Sequence, residues 1–268
     1  MTLSIVLITQ NEESNLPRTL ESVMPLVRDE KGEIIVVDSG STDCTLEIAR
    51  SFGAKIFSEP WKGFAAQKNS AMDKARCDWV LQLDADETPE PELAAEIAEA
   101  LTSNAAVQGF WIPRKNLFLG RWIRHGGFYP DPKLRLIRRG AGKFEEHGAH
   151  PTIKLNGPTG HLNHALIHNA YPTLLGYIEH MNSYSSSGAE VAVAAGRRGF
   201  SPTNIVIRPL LTFVYNYFFR LGFLDGREGL LLHLYHAAYV SWKYAKAWEL
   251  ERTAKLQANV STAGHLET

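Results

Sequence analysis

The chain has 268 residues, 44% of them hydrophobic and 21% charged, with a formal net charge of −1. Such a composition supports a sizeable core and excludes both a disordered polyelectrolyte and a protein that grips nucleic acid through its global charge. Two cysteines, Cys44 and Cys77, without a CxxC pair, exclude a disulfide framework and fit a reducing compartment. In chain order, Leu3–Thr9 reads as a buried strand, since it lacks a basic leader and is too short for a secretory apolar run. Residues 14–24 carry helical spacing through Leu16, Leu20 and Val23, and residues 33–37 (EIIVV) form a second strand. Thr42 suits the N-cap of a helix over residues 43–52 that Gly53 closes. A short strand at 55–57, a helix at 64–75, a strand at 79–83 (WVLQL) and a helix at 91–101 with proline at its start follow. From Gln108 to about Tyr171 the chain is rich in Gly, Arg, His and aromatics, with strand-like pieces at 109–113 and 133–138. The last third, from about Leu174 to Lys255, is helical in pattern and aromatic, and a polar tail after Leu256 is expected to fray.

Strands alternating with helices predict an α/β fold, a parallel sheet with helices on both faces. Ligands of such sheets bind beyond the carboxyl ends of the strands. That rule selects residues 10–12, 38–43 and 84–87, three polar or acidic segments from three strands. In Asp84-Ala85-Asp86, alternate residues point the same way, so two carboxylates can reach one hard cation, Mg²⁺ or Mn²⁺. Such an ion neutralises charge on a departing diphosphate. Taken alone the motif equally suits an acidic turn that caps the next helix; its place after an apolar strand favours the metal. Asp38, at the end of the second strand, is suited to accept hydrogen bonds from a base or ribose, while Ser41 and Thr42 are explained by capping.

Thr9-Gln10-Asn11-Glu12 after the first strand, Asp38-Ser39-Gly40-Ser41-Thr42-Asp43 after the second and Asp84-Ala85-Asp86 after the WVLQL strand together resemble the family 2 glycosyltransferases of GT-A fold. The order, spacing and strand context agree through about residue 90. A looser likeness through Trp122, the GGFYPDPKLRLIRR segment and residues 222–226 extends to the branch that includes lipopolysaccharide inner-core β-glucosyltransferases. The resemblance implies a GT-A (Rossmann-like) nucleotide-binding sheet with a helical C-terminal extension. It places Thr9, Asn11, Glu12, Asp38, Ser39 and Lys68 in the nucleotide pocket, Asp84 at the ribose or a metal-bound water, and Asp86 on the metal. It further implies transfer of a hexose, with inversion, from a nucleotide sugar (UDP-linked) to a cell-envelope glycolipid or oligosaccharide hydroxyl. That chemistry needs a carboxylate within about 2.6–3.2 Å of the acceptor proton. Candidates are Glu146 and Glu145, with Asp131 as rival; Glu146 is placed first, although relatives show His-Glu where this chain reads Glu-Glu-His.

Arg114, Lys115, Arg121, Arg124, Lys133, Arg135, Arg138 and Arg139 crowd the middle region. Facing the cleft, Arg135 and Arg138 would suit a phosphorylated acceptor; otherwise they are a solvated face of a half-buried strand. With no cysteine pair or HExxH beside them, the histidines at 147–168 are read as hydrogen-bonding core or acceptor-site residues, and the resemblance, whose branch shows a histidine before an aromatic such as Tyr171, implies that His164 and His168 support the acceptor site. The expected organisation is a catalytic domain at 1–172, with a donor half at 1–105 and an acceptor half at 106–172. A helical region at 173–256 and a disordered tail at 257–268 follow. An apolar stripe through Phe213, Tyr217, Phe218, Leu221 and Leu224, flanked by Arg197, Arg198, Arg208 and Arg220, fits either an interfacial helix or packing on protein. No apolar run reaches the roughly 20 residues of a spanning helix, so a cytoplasmic protein, peripheral to a membrane, is expected. Competing readings are a polyprenyl-phosphate glycosyltransferase, a metal-dependent phosphohydrolase and a catalytically inactive nucleotide-sugar-binding protein. The first strand lacks the G-x-G-x-x-G turn of a dehydrogenase, and no P-loop is present.

Overall fold

The computed structural model describes residues 1–28, 32–102, 106–145, 151–196 and 199–264, with side chains to residue 257. In chain order the first half carries β1 (Leu3–Thr9), α1 (Leu16–Val27), β2 (Gly32–Asp38), α2 (Thr45–Ser51), β3 (Lys55–Ser58), α3 (Phe64–Asp73), β4 (Trp79–Asp84), β5 (Glu87–Pro89) and α4 (Pro91–Thr102). Then come β6 (Gly109–Ile112), β7 (Arg114–Phe118), β8 (Arg121–Trp122), β9 (Lys133–Arg138), β10 (Gly142–Glu145), β11 (Thr152–Leu155), β12 (Thr159–His161) and β13 (Leu166–Tyr171). Three main helices close the chain, α5 (Leu174–Ala194), α6 (Arg208–Val214) and α7 (Gly226–Gly264).

The chain divides into two compact units, one of Met1–Leu117 with Tyr129–Ala170, the other of Phe118–Phe128 with Tyr171–Thr268. The expected organisation divides the chain at 172, whereas residues 118–128 group with the helical unit. The chain beyond 256 continues as helix to Gly264.

In the first unit a seven-stranded sheet runs in the order β12-β6-β9-β4-β1-β2-β3. Strands β4, β1, β2 and β3 are parallel, as the alternation predicts, but β9 is antiparallel to both β4 and β6. The sheet is therefore mixed. One face packs Leu3, Ile5, Leu7, Ile34, Val36 and Leu81 against Leu16 and Leu20 of α1, Ala49 of α2 and Leu93 and Ile97 of α4. The other sets Val6, Ile35, Val37 and Val80 against Ala65, Ala71 and Met72 of α3. Two-sided burial explains why these strands read as continuous apolar runs. The helix assigned to 43–52 starts later, at Thr45. Asp43 Oδ1 accepts from the Thr45 N–H at 3.0 Å and its hydroxyl at 2.5 Å, which leaves Thr42 outside the cap.

The second unit buries Phe118, Ile123, Tyr177, Met181 and Leu232 as its core, with α5 packed on α7.

Candidate functional site

Parallel pairing aligns Thr9 with Asp38 and Ile8 with Asp84, so the carboxyl ends of β1, β2 and β4 finish level and deliver their polar residues to one edge. At β2, the Thr9 hydroxyl donates to Asp38 Oδ2 at 2.9 Å. The Gly40 and Ser41 N–H groups each donate to Oδ1 at 2.9 Å, and the Ser41 hydroxyl donates to Oδ2 at 2.5 Å. Burial alone would raise the Asp38 pKa; the Ser41 hydroxyl and N–H, with Gly40 and Thr9, outweigh it and hold the carboxyl below its ordinary range. Gly40 sits at φ 97° with no neighbour near its Cβ position, so backbone conformation, not space, requires glycine there. Asn11, at φ 56°, donates its N–H to the Ser41 hydroxyl and accepts from the Thr42 N–H, both at 2.8 Å, which ties the first loop to the second. The Ser39 hydroxyl is buried with no hydrogen-bond partner among the described residues.

The two aspartates of Asp84-Ala85-Asp86 occupy different environments. Asp84 is locked. Lys68 Nζ lies 2.5 Å from Oδ1, and Arg135 Nη2 lies 2.6 Å from Oδ2. Although burial opposes ionisation, the Arg135 and Lys68 charges hold this carboxyl well below the usual carboxylate range. Arg135 also reaches Glu87 Oε1 at 2.7 Å and donates to Gln82 Oε1. Glu87, fully buried, takes a second guanidinium from Arg114 at 3.0 Å. Half-burial of β9 had been expected from its alternation. Instead Leu134, Arg135, Leu136 and Ile137 are all buried, because the strand lies inside the sheet. Phe110 pairs with Leu136 and Trp111 with Leu134, so Arg135 is the extra residue of a β-bulge, and the bulge turns its side chain to the acidic edge.

Asp86 is more open. Its nearest ionisable partner is His168, with Nε2 3.2 Å from Oδ2. Strand β13 places His168 opposite Glu87. His168 Nδ1 lies 2.7 Å from Asn116 Oδ1, and Asn116 Nδ2 donates to Asp131 Oδ2 at 3.2 Å. This chain of bonds assigns the proton to Nδ1. Nε2 then meets Asp86 either as the N–H of an imidazolium or as a lone pair that, with the carboxylate, could share a cation. Oxygen and imidazole donors suit Mn²⁺ or a similar divalent ion, and an imidazole fixed through its other nitrogen is the usual arrangement of a metal ligand. Glu12, tied to Asn15 at 3.0 Å, has its carboxyl raised above the ordinary range by burial first and then by the charges of Asp86 and Asp84. Among the described residues no group of three or more His, Cys, Asp or Glu could hold an ion unaided. Asp86 and His168 would leave further positions to phosphate oxygens and water.

A cavity of about 200 Å³ adjoins Asp84 and is lined by Lys68, Arg114, Lys133, Arg135 and Phe144, among others. Pro151, Thr152 and Ile153 also border it. The first-placed base candidate, Glu146, lies outside the described residues, as do His147 and His150. Glu145 pairs with Lys154 at 3.1 Å. Asp131 receives Arg114 at 2.7 Å and Lys133 at 2.8 Å; these charges overcome burial and bring its pKa down to about 2. A carboxylate so committed is a weak proton acceptor.

Two residues expected at the acceptor lie elsewhere. Arg138 pairs with Trp79, at the opposite end of β4 from Asp84, and its guanidinium stacks on that indole at 4.7 Å. Five residue steps along the strand separate the two ends, about 16 Å. His164 bonds to Glu96 of α4 through both its N–H and Nδ1, at 3.0 and 2.9 Å. Conversely, Gln82 and Asn116 belong to the network without having been singled out in the sequence, and Glu87 was included only as the end of the 84–87 segment. Glu87 carries the one available signal, since it directly follows the acidic pair.

The sequence profile of Glycosyl transferase family 2 matches residues 4–157. The chain is 28% identical over 97% of its length to the lipopolysaccharide core biosynthesis glycosyltransferase LpsC of Rhizobium meliloti (strain 1021), 97% of which is covered. It is 30% identical, over 97% of its length and 89% of the other, to an uncharacterized glycosyltransferase of Rickettsia bellii (strain RML369-C). Among solved structures, glucosyl-3-phosphoglycerate synthase from Mycobacterium tuberculosis in complex with Mn²⁺, uridine-diphosphate and phosphoglyceric acid aligns over 44% of this chain and 43% of that one, at 28% identity and a TM-score of 0.36. With the profile spanning more than half of the chain, this protein belongs to glycosyl transferase family 2 and is a glycosyltransferase.

Proposed function

We propose that the enzyme transfers a hexose, with inversion, from a UDP-linked sugar to a hydroxyl of a lipopolysaccharide-core type glycolipid at the inner face of the membrane, with the help of Mg²⁺ or Mn²⁺. The observation that carries this reading is the division of labour within Asp84-Ala85-Asp86. Asp84 is held by Lys68 and Arg135, whereas Asp86 meets the imidazole of His168, a carboxylate and a nitrogen donor that could share a divalent cation. The whole-length likeness to a lipopolysaccharide core glycosyltransferase supports the acceptor class. When bound, the ion would neutralise the charge that develops on the departing diphosphate.

The chain's own residues do the rest. Asp38 is pre-arranged by Thr9, Gly40 and Ser41 as a hydrogen-bond acceptor for the ribose or base, with the unpartnered Ser39 hydroxyl beside it. Asn11 and Glu12 shape the same rim. Lys68 and Arg135 keep Asp84 ionised and fixed, so the donor meets a site that needs no reorganisation. Arg114, Lys133 and Arg135 at the cavity suit an anionic group on donor or acceptor. Glu146 remains the assigned proton acceptor, because Asp131 is committed to Arg114 and Glu145 to Lys154.

Thermal unfolding with Mn²⁺ and a panel of UDP, GDP, TDP and CMP, repeated on Asp86→Ala, tests the reading. Near 100 times its dissociation constant UDP should add about 2.7 kcal/mol to native stability, only with the ion, and Asp86→Ala should abolish the gain. No metal-dependent shift with any nucleotide would refute it and favour the phosphohydrolase or inactive-binder readings.

A further inference from the structure

Between Gly199 and Leu224 the sequence has two charged residues, Arg208 and Arg220, and no acid. A continuous helical stretch runs from Thr203 to Phe219, through a π turn, α6 and a second π turn, about 25 Å long. Its inner side rests on α7. Asn204 is buried there, the Ser241 hydroxyl donates to the Ile205 carbonyl at 3.0 Å, and Arg208 Nη1 donates to the Tyr244 hydroxyl at 2.9 Å. Its outer side repeats every four residues, matching the wide turns: Val206 with Ile207, Leu210 with Leu211, Tyr215, and Phe218 with Phe219. All of these are exposed, Val206 by 60% and Phe219 by 75%. Leu221, Phe223 and Leu224 extend the surface. Leu221 adopts φ 60°, a left-handed conformation rare for a branched residue, and its side chain is nevertheless turned outward.

A contiguous apolar face of this size marks a contact site. Its charge identifies the partner. The two guanidiniums at its margins, with no carboxylate in the segment, complement an anionic surface, and Arg220 is seated against Gly127, whose Cβ position lies 2.1 Å from Nη1. No helix among the described residues is long and apolar enough to cross a membrane. An amphipathic element of this kind lies in the interface, apolar side chains at the acyl boundary and arginines at the headgroups.

We infer that the outward face of residues 206–224 docks on an anionic phospholipid bilayer. The inference uses neither the active-site edge nor any sugar nucleotide, so it stands or falls separately from the proposed reaction.

Co-sedimentation of the full chain with vesicles of phosphatidylglycerol and phosphatidylethanolamine, and with phosphatidylcholine alone, tests it, in the absence of donor and metal. The protein should pellet with the anionic vesicles. Replacing Leu210, Leu211 and Phe219 together by serine should weaken partition at least about a hundredfold with an unchanged far-UV spectrum. If that variant fails to fold, Phe219→Ser alone should weaken it about tenfold. Arg220→Gln should cost about fivefold on anionic vesicles and nothing on phosphatidylcholine. Failure of the wild type to pellet, or pelleting that the serine variants leave unchanged, overturns the inference. So does a wild-type dimer, seen by sedimentation velocity, that the serine variants dissociate, since the face would then belong to a second copy.

Discussion

In the unit formed by Met1–Leu117 and Tyr129–Ala170, the group at odds with its surroundings at the sheet edge is a set of buried charges, although Trp61 and Phe64 are also exposed. Glu87 is fully buried, Arg135 is 5% exposed, and Lys68 and Asp38 are also inside. In the unit formed by Phe118–Phe128 and Tyr171–Thr268 the largest such group is apolar side chains left outside, from Val206 to Leu224, although Asp225 and His233 are buried there. A buried ion is tolerated only when its partners are in place. An exposed phenylalanine needs no partner inside the fold and points to one outside it. The first departure therefore locates chemistry and the second a contact, and the two should respond oppositely to mutation.

The largest effect is expected at Arg135. Arg135→Ala takes one partner from each of Asp84, Glu87 and Gln82, leaving Lys68 on Asp84 and Arg114 on Glu87, and should cost about 3 kcal/mol in urea unfolding. Adding Glu87→Gln should recover part of that loss by removing one buried charge. A cost below about 1 kcal/mol would show that water reaches the cluster, and the contrast between the units would fail.

How much of this could be read from the sequence follows the same division. The strand ends were legible because a buried parallel strand is a run of apolar residues and its first polar residue marks the edge: Thr9, Asp38 and Asp84 are so placed, and the register levels them. Arg135 was visible as a basic residue, but its aim was not. A β-bulge depends on how β6 and β9 pair across 20 or more residues, and alternation alone left open whether Arg135 faces the cleft or solvent. Arg138 and His164 were drawn to the site by residue type. Pairing with Trp79 and capping by Glu96 take them away from it. His168 was assigned to the acceptor, and its approach to Asp86 became apparent only once β13 was seen to pair with β5.

A smaller effect should appear in acid. The Asp131 pKa is about 2 in the folded chain, against an ordinary unfolded value of about 3.9. Because the folded value is depressed, the stabilisation is fully present above pH about 4 and is lost as the pH falls toward 2, when the native carboxylate finally takes up its proton. Asp131→Asn should therefore lower stability on the order of 2 kcal/mol near neutrality and flatten the acid limb between pH 4 and 2, followed by urea midpoints across that range. An unchanged acid limb would mean that Arg114 and Lys133 hold Asp131 no more firmly than solvent does.

The smallest effect falls on the other unit. Leu211 is 59% exposed and has few protein atoms to lose, so Leu211→Gln should change the free energy of unfolding by no more than about 0.5 kcal/mol. Burying a leucine in a protein core is worth several times that, and its truncation there costs about 2–5 kcal/mol. The measurement thus separates two origins of an apolar side chain. A loss of 2 kcal/mol or more would mean that Leu211 is packed within the fold in solution, and the apolar face could no longer be set against the buried charges as a surface shaped for something outside the chain. A negligible loss leaves the leucine with no role in stability, and the preference for leucine over a polar residue must then come from what the face meets.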